Sequence, residues 1–237
     1  MKKIKSKSIK VALNVRKKLL KIALLSQSSH VGSALSIVDI LAVVYSSFKK
    51  LKKNSFILSK GHGCMALYSV LNEFGMISEK MLYSYGKNNS PLMGHASHFV
   101  PGVDFSTGSL GHGLPAAVGI SLAKKIQKDL SKTYVLLSDG ELNEGSNWEA
   151  LLFAAHHKLD KLRIIIDYNK LQSIDFVKNI LKIEPLKKKF ISFGCKVIEI
   201  DGHNHFQLDK IVKIKSKKPI IIIANTIKGK GIKFMEN

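Results

Sequence analysis

SDGELNEGSNWEALLFAAHHKLDKLRIIIDYNKL, at residues 138–171, is the stretch of this chain that decides its fold. An apolar strand (Tyr134–Leu137) leads into Asp139-Gly140, an amphipathic helix follows, and a second apolar run ends shortly before Asn169. Two parallel strands joined by a crossover helix place their following loops at the same edge of a sheet. Open α/β sheets bind ligands at that edge. The stretch therefore predicts a βαβ unit that brings Asp139 and Asn169 together in a ligand site.

The oxygen atoms of Asp139 and Asn169 suit a hard divalent cation. Mg²⁺ prefers oxygen ligands and usually keeps water and substrate phosphates in its remaining positions. Gly140 lets the backbone approach a phosphate closely and leaves its N–H group to donate to it. Asp-Gly is also a common turn dipeptide, so this stretch alone leaves open an ordinary βαβ unit with a solvated aspartate.

Apolar patterns along the rest of the chain predict alternating helices and strands. Helices are predicted at residues 8–26, 36–48, 64–74 and 114–125, and strands at 56–58, 134–137, 163–167, 196–200 and 219–225. Ser36 and Asp39 form a candidate capping box for the second helix. Strands as apolar as YVLL, IIID and IIIIA indicate a parallel sheet covered on both faces. We predict an α/β fold, a doubly wound and mostly parallel sheet with helices on both faces, in a single domain over residues 1–237.

The chain carries a formal net charge of +21, with 38 Lys and Arg residues against 17 Asp and Glu. Such a charge raises the alternative of a basic nucleic-acid-binding protein. Only Arg16 and Arg163 are arginines, although arginine is preferred for bidentate phosphate contacts. The lysines are dispersed, and no segment interleaves them with aromatic residues as a base-stacking surface would. Solvated lysine faces are the favoured interpretation, and no nucleic-acid partner is predicted.

The cysteines and the apolar runs indicate the cellular compartment in which the protein is expected. Cys64 and Cys195 lie far apart without metal-ligand spacing, which indicates a reducing compartment and no disulfide framework. The basic N-terminal segment is amphipathic and charged, and it lacks the apolar core of a signal peptide. The apolar run Ile220–Ala224 is far too short to cross a membrane. We predict a cytoplasmic protein with no membrane partner.

Five motifs of this chain resemble those of transketolases and follow the same order. Residues 138–171 resemble the thiamine-diphosphate motif, with Ser138 in place of its first glycine and Tyr168 before its final Asn. The other segments are SSHVGSALSIVDILAVVY (28–45), FILSKGHGCMALYSVL (56–71), MGHASHFVPGVDFSTGSLGHGLPAAVGISLA (93–123), and the closing pair GHNHFQLDKI (202–211) and ANTIKGKGIKFMEN (224–237). The resemblance covers almost the whole chain and implies the thiamine-diphosphate-binding fold of a transketolase-type transferase.

The resemblance implies a site for thiamine diphosphate and Mg²⁺, with Ca²⁺ or Mn²⁺ as substitute ions. The metal ligands would be Asp139, Asn169 and the backbone carbonyl of Leu171. The other cofactor-binding residues would be Gly108 and Leu110 at the aminopyrimidine, Gly140 and His62 at the diphosphate, and His112 as a polar contact. His30, His62 and His95 would line the substrate channel as catalytic residues, because an imidazole can bind a sugar hydroxyl or shuttle a proton.

Two acidic residues lie near the start of the crossover helix. Glu144 and Glu149 are five positions apart, so they do not share one strict helix face. As local features they would complement the helix dipole. In transketolases the matching acids link the two cofactor sites across the dimer, and the resemblance gives Glu144, more than Glu149, a catalytic and cofactor-binding role. Trp148 is predicted to be a packing residue.

The chain has no counterpart of the pyrimidine-binding domain, which carries the cofactor-activating glutamate in transketolases. The resemblance therefore implies the N-terminal subunit of a split transketolase. A second polypeptide would carry the pyrimidine-binding and C-terminal domains, with two copies of each chain in the assembly. The complex would transfer a two-carbon ketol unit from a ketose, expected to be a sugar phosphate, to an aldose. A subunit of the deoxyketose-phosphate synthase type, which acts on pyruvate, stays open as an alternative.

Overall fold

A parallel sheet forms the centre of the structure. The computed structural model describes the backbone of residues 2–48 and 54–236, and the side chains from Lys7 onward within these ranges. Five strands lie there in the order β1-β2-β3-β5-β4, all parallel: β1 (Ser55–Leu58), β2 (Thr133–Ser138), β3 (Leu162–Tyr168), β4 (Lys196–Asp201) and β5 (Ile220–Asn225). The middle strands are nearly continuous apolar runs, as expected of strands buried on both faces.

Helices connect and cover these strands. In the described ranges they are α1 (Lys2–Ser26), α2 (Val31–Ser36), α3 (Val38–Phe48), α4 (Cys64–Glu73), α5 (Glu79–Leu82), α6 (Gly113–Ile126), α7 (Gly145–His156), α8 (Val177–Ile180), α9 (Leu186–Ser192) and α10 (His205–Lys213). Single 3₁₀ turns occur at Gly61–Gly63, Gly140–Asn143 and Lys233–Met235. None of the helices described is long and apolar enough to cross a membrane.

The two faces of the sheet have separate hydrophobic cores. Tyr134 and Leu136 of β2 pack in one core with α1, α3, α4 and α10. Val135 and Leu137 of the same strand pack in the other core with α6, α7 and α9. Side chains alternate between the faces of a strand, so one apolar strand supplies both cores. The predicted doubly wound α/β fold is confirmed.

The predicted strands are all present, but the predicted capping box is wrong. Ser36 is the last residue of α2, and its hydroxyl donates to Asp167 Oδ2 at 2.7 Å. The Asp39 carboxylate accepts hydrogen bonds from Arg16, His203 and His205 instead of capping a helix. Both side chains are buried, and long-range polar partners have replaced the local ones that the sequence pattern predicts.

Two glycines of α6 provide a test of the packing around the sheet. A Cβ atom on Gly113 would lie 2.3 Å from Ser59 Oγ and 2.7 Å from Ser59 Cα, whereas one on Gly119 would meet nothing within 4 Å. We expect Gly113→Ala to lower the free energy of unfolding by about 1–3 kcal/mol through overpacking. Gly119→Ala, the matched control, should raise it by about 0.5–1 kcal/mol through helix propensity. Urea denaturation measures both, and equal effects would contradict the close approach at Gly113.

Candidate active site

A cleft of about 650 Å³ opens at the carboxyl edge of the sheet, between the ends of β2 and β3 and the start of α2. Its volume lies in the range of about 300–1,000 Å³ that is typical of small-molecule sites. Nine of the sequence-predicted site residues line it: His30, His62, His95, Gly108, Leu110, Asp139, Gly140, Asn169 and Leu171. These nine residues come from four of the five motifs.

Two predicted site residues, Glu144 and His112, do not line this cleft. Glu144 directly precedes α7 and His112 directly precedes α6, and both side chains are exposed. The carboxylate that is buried in this region is Glu141, three residues before Glu144. The cofactor contacts of Glu144 and His112 thus stay predictions. Trp148 packs against Phe190 and Phe193, as expected of a packing residue.

The three predicted catalytic histidines form a cluster in the cleft. The ring centroid of His30 lies 5.3 Å from that of His62 and 6.4 Å from that of His95. Burial, followed by the charge of Lys60 and the neighbouring imidazoles, lowers the pKa of His62 to about 3. Burial and nearby His95, Lys228 and Lys60 also lower the pKa of His30. His62 and His30 are therefore neutral at physiological pH, and each can both donate and accept a hydrogen bond.

Asp139 also lines the cleft and is 1% exposed. Its carboxylate accepts hydrogen bonds from the backbone N–H groups of Gly140 at 2.7 Å and Lys170 at 2.5 Å. Burial and the nearby charge of Asp167 raise the pKa of Asp139 to about 6. A buried carboxylate with backbone partners and a raised pKa would be stabilised by a cation in the cleft.

Asn169 lies beside Asp139 with its amide orientation fixed. Its Nδ2 group donates to Asp167 Oδ2 at 3.0 Å, so its Oδ1 atom is the acceptor and takes a hydrogen bond from the N–H of Leu171. Among the described residues, no cluster of three His, Cys, Asp or Glu side chains could hold a metal ion. A metal site here would instead combine one carboxylate with amide and carbonyl oxygens, a donor set that Mg²⁺ accepts.

Beneath the cleft lies an ion pair that the sequence reasoning missed. Lys60 and Asp167 are both 0% exposed, with Lys60 Nζ 2.5 Å from Asp167 Oδ2. Burial alone would raise the pKa of Asp167, but the charge and hydrogen bond of Lys60, with hydroxyl donors on Ser36 and Thr226, lower it. The pair connects the ends of β1 and β3 to α2 and to the segment after β5. No local pattern signals it, because the partners are 107 residues apart.

Glu141 is a second buried acid that the sequence reasoning missed. Its carboxylate accepts hydrogen bonds from Ser59 Oγ and from the N–H groups of Gly111 and Ser138. Burial raises the pKa of Glu141, and these hydrogen-bond donors reduce the rise without cancelling it. Glu141 thereby fastens the glycine-rich loop that precedes α6 to the ends of β1 and β2. That loop is the one that presents Gly108 and Leu110 to the cleft.

Lys228 also lines the cleft, although its segment resembled the other lysine-rich stretches of the sequence. Its Nζ atom donates to the carbonyl of Gln172 at 2.9 Å. Burial and the charge of Lys60 lower its pKa, while Asp139 and Asp167 act in the opposite direction. The side-chain Nε2 of Gln172, another lining residue, is buried without a described hydrogen-bond partner. The Lys228 ammonium group and the Gln172 amide are therefore available as hydrogen-bond donors in the cleft that contains Asp139.

A polar network centred on Asp39 of α3 holds the segment that carries Lys228. Asp39 accepts bonds from Arg16, His203 and His205, and these donors keep its pKa low despite burial. The N–H of Ile227 donates to His203 Nε2 at 2.9 Å. His203 is therefore the neutral tautomer with its proton on Nδ1, which donates to Asp39 Oδ2 at 2.8 Å. Asp39 and His203 together fix the backbone next to Lys228.

A parallel sheet with a polar cleft at its carboxyl edge, lined by glycine loops and a buried carboxylate, defines a cofactor-binding α/β domain. Residues 11–237 match the family model described as "Transketolase, thiamine diphosphate binding domain". The chain belongs to this transketolase N-terminal family. The family predicted from the five motifs is confirmed.

The chain is similar to transketolase subunits from bacteria. It is 46% identical over 220 residues to an apulose-4-phosphate transketolase subunit of Actinobacillus succinogenes, a match that covers 87% of this chain and 79% of that protein. It is 38% identical over 219 residues to a 6-deoxy-6-sulfo-D-fructose transketolase subunit of a Clostridium species, covering 87% of this chain and 80% of the relative.

The solved transketolase of Campylobacter jejuni shares the fold with a TM-score of 0.90 and 32% sequence identity. The match covers 99% of this chain but 39% of that one, so the chain spans about two fifths of that transketolase. Together, these similarities confirm the prediction of an N-terminal subunit of a transketolase-like, thiamine-diphosphate-dependent transferase.

The buried ion pair provides a prediction on stability. Lys60→Met should lower the free energy of unfolding by about 3–5 kcal/mol, because it leaves the Asp167 charge buried without its partner. Lys18→Met is the matched control: Lys18 pairs with Glu73 at 2.7 Å, but both side chains are partly exposed. Its loss should cost less than about 1 kcal/mol. Urea denaturation of the two variants tests this ranking, which a comparable loss in both would contradict.

The tautomer assigned to His203 leads to a prediction about local opening of the backbone at Ile227, measured by hydrogen exchange. His203→Asn can keep the donor to Asp39 but cannot reach the Ile227 N–H, whereas His203→Gln can place an amide oxygen near the former Nε2 position. We expect the Ile227 amide to exchange its hydrogen roughly 5- to 10-fold faster in the Asn variant, the equivalent of about one hydrogen bond. The Gln variant should exchange at a rate near that of the parent. Hydrogen-exchange mass spectrometry resolves the difference, and identical rates in both variants would refute the assigned tautomer.

Proposed function

We propose that this chain, with a second polypeptide, thiamine diphosphate and Mg²⁺, transfers a two-carbon ketol unit from a phosphorylated ketose to an aldose. The observation that carries the proposal is the composition of the cleft. The cleft is lined by a buried carboxylate, an oriented amide and a cluster of three histidines. The carboxylate and the amide suit a metal-bound diphosphate, and the histidines suit a polyhydroxylated substrate.

The donor set fits Mg²⁺. We assign Asp139, Asn169 and the carbonyl of Leu171 as its ligands, with Ca²⁺ or Mn²⁺ as substitute ions. The raised pKa of the buried Asp139 carboxyl supports a cation at this place, and the bond from Asn169 to Asp167 directs the amide oxygen away from that carboxylate. A bound divalent ion would balance the charge of Asp139 and part of the charge of a diphosphate.

The cleft also fits a diphosphate group. Gly140 lets Gln172 pack directly against the backbone at the cleft, because a Cβ atom there would lie 2.9 Å from Gln172 Cγ. Lys228 supplies a cationic group, and His62 and Gln172 supply further donors. Thiamine diphosphate, when bound, supplies the carbon nucleophile and the electron sink of the reaction. We place its ring at Gly108 and Leu110, and we keep His112 and Glu144 as contacts that the assembled complex would complete.

The histidine cluster supports ketol transfer over the pyruvate reaction of a deoxyketose-phosphate synthase. Neutral His62 and His30 can each hold a sugar hydroxyl as donor or acceptor. With His95 they can also exchange a proton with a hydroxyl or carbonyl oxygen of the substrate. Pyruvate carries no hydroxyl group for such a cluster to recognise. The relatives named for apulose 4-phosphate and 6-deoxy-6-sulfo-D-fructose support a ketose with an anionic group as the donor substrate.

The partner would be a chain with the pyrimidine-binding and C-terminal domains. The Actinobacillus relative is named as one subunit of its transketolase, which supports a two-chain enzyme, and this chain spans only part of the Campylobacter transketolase. We propose two copies of each chain, so that residues 1–237 act as one domain of a heterotetramer. Both cysteines are buried and free, which supports a reducing, cytoplasmic location.

The test is reconstitution with the chain encoded beside this one. Light scattering should give two copies of each chain, and coupled assays should detect ketol transfer from a phosphorylated ketose, with xylulose 5-phosphate as the first probe. Asp139→Ala should abolish Mg²⁺-dependent binding of thiamine diphosphate in calorimetry, because a methyl group cannot replace a charged oxygen ligand. Asn169→Ala, which removes a neutral ligand, should weaken binding less.

Asp175→Ala serves as the matched control, because Asp175 is an exposed carboxylate outside the cleft lining. It should leave cofactor binding unchanged. Parental affinity in the Asp139 variant would mean that the metal lies elsewhere. Turnover of pyruvate without any ketol transfer would instead select the deoxyketose-phosphate synthase type.

A further inference from the structure

A second concavity, of about 600 Å³, lies at the amino edge of the sheet. We name it the basic pocket and define it by six cationic residues of its lining: Lys132, Lys161, Arg163, Lys213, Lys215 and Lys217. Lys132 directly precedes β2, Lys161 directly precedes β3, and residues 213–217 lead into β5. Because all the described strands are parallel, these starting ends face away from the cleft at the carboxyl edge. The basic pocket is therefore a separate site.

Few carboxylates pair with the cations of the basic pocket. Lys161 pairs with Asp160 at 2.7 Å, and Lys213 pairs with Asp209 on the exposed side of α10. In the described part of the chain, the other four cations form no salt bridge. Burial, followed by the charges of Arg163, Lys161 and Lys215, lowers the pKa of Lys132 to about 8. The cations repel one another across a concave surface, and an anion placed there would relieve this repulsion.

Hydrogen bonds to the end of α10 account for the presence of two of the six cations, Lys132 and Arg163, but not for the others. Lys132 Nζ donates to the carbonyl of Val212, and Arg163 donates to the carbonyl of Ile214. Such bonds satisfy the last carbonyl groups of a helix and match its negative end. Lys215 and Lys217 are exposed lysines beside this terminus. Capping of α10 therefore does not account for the positive charge of Lys215 and Lys217.

Arg163 gives a second, independent indication of a ligand. The residue is 1% exposed and lines the basic pocket, yet its Nε atom is buried without a hydrogen-bond partner among the described residues. Its two terminal nitrogens are already bonded to carbonyl groups. A buried guanidinium N–H without an acceptor costs free energy, and an anion oxygen that reached this N–H would supply the acceptor.

We propose that the basic pocket binds a small oligophosphate, an anion with two or more linked phosphoryl groups. Guanidinium and ammonium groups are the preferred partners of phosphate oxygens. A volume of about 600 Å³ exceeds the needs of one phosphate and lies within the range of small-molecule sites. Among the described residues the lining contains no aromatic side chain on which a base could stack, which favours a compact polyanion over a nucleic-acid strand.

The experiment is calorimetry of the full chain with inorganic tripolyphosphate at two salt concentrations. The variant Lys215→Gln/Lys217→Gln removes two exposed charges of the basic pocket. Lys187→Gln/Lys188→Gln removes the same charge from exposed positions on α9 and is the matched control. Lys228→Gln removes the cation of the cleft. We expect the pocket variant to lose at least tenfold in affinity, and the α9 and cleft variants to lose less than twofold.

Acylation of surface amines maps the site independently. Tripolyphosphate should protect Lys215 and Lys217 from the reagent and leave Lys187 and Lys188 reactive. Three results would overturn the proposal: equal losses in the pocket and α9 variants, loss of binding in Lys228→Gln alone, or no binding at low salt. Displacement of tripolyphosphate by a 20-nucleotide RNA at equal charge concentration would mean a nucleic-acid surface and would also overturn it. The Lys228→Gln variant separates these outcomes from binding of tripolyphosphate in the cleft.

Discussion

The buried ion pair between Lys60 and Asp167 is the interaction on which the cleft depends. Two fully buried charges are costly unless further hydrogen bonds satisfy them, and Asp167 has such donors on Ser36, Asn169 and Thr226. The pair thereby ties the ends of β1, β3 and β5 to α2. Its effects reach two residues that line the cleft: the Lys60 charge contributes to the low pKa of His62, and the Asp167 charge contributes to the raised pKa of Asp139.

The fold and most of the cleft could be predicted because their signals are local. The apolar runs of β2, β3 and β5 identify a parallel sheet covered on both faces. Asp139, Gly140 and Asn169 follow two of those strands directly, so the topology alone places them at one edge. The histidines needed the family resemblance, because His30, His62 and His95 come from three separate loops and meet only in the folded chain.

The missed residues depend on long-range contacts. Glu141 lies in the same motif as Glu144, and nothing in the sequence says which of the two acids becomes buried. Lys228 resembles the other lysines of a lysine-rich chain, and its place in the cleft follows from the bond between the Gly229 N–H and the Gly32 carbonyl. The Ser36–Asp39 pattern failed for the same reason. A capping bond is weak compared with the charged partners that fold topology brings to these side chains.

The direction of the strands explains why the two edges of the sheet differ in chemistry. Helices that follow parallel strands begin at the carboxyl edge and end at the amino edge, so their positive ends face the cleft and their negative ends face away. The carboxyl edge accordingly holds Asp139 and Glu141, which accept hydrogen bonds from backbone N–H groups, and Asp167, which pairs with Lys60. The amino edge collects lysines around the end of α10. The helix polarity that favours anionic ligands at the carboxyl edge therefore also favours positive charge at the opposite edge.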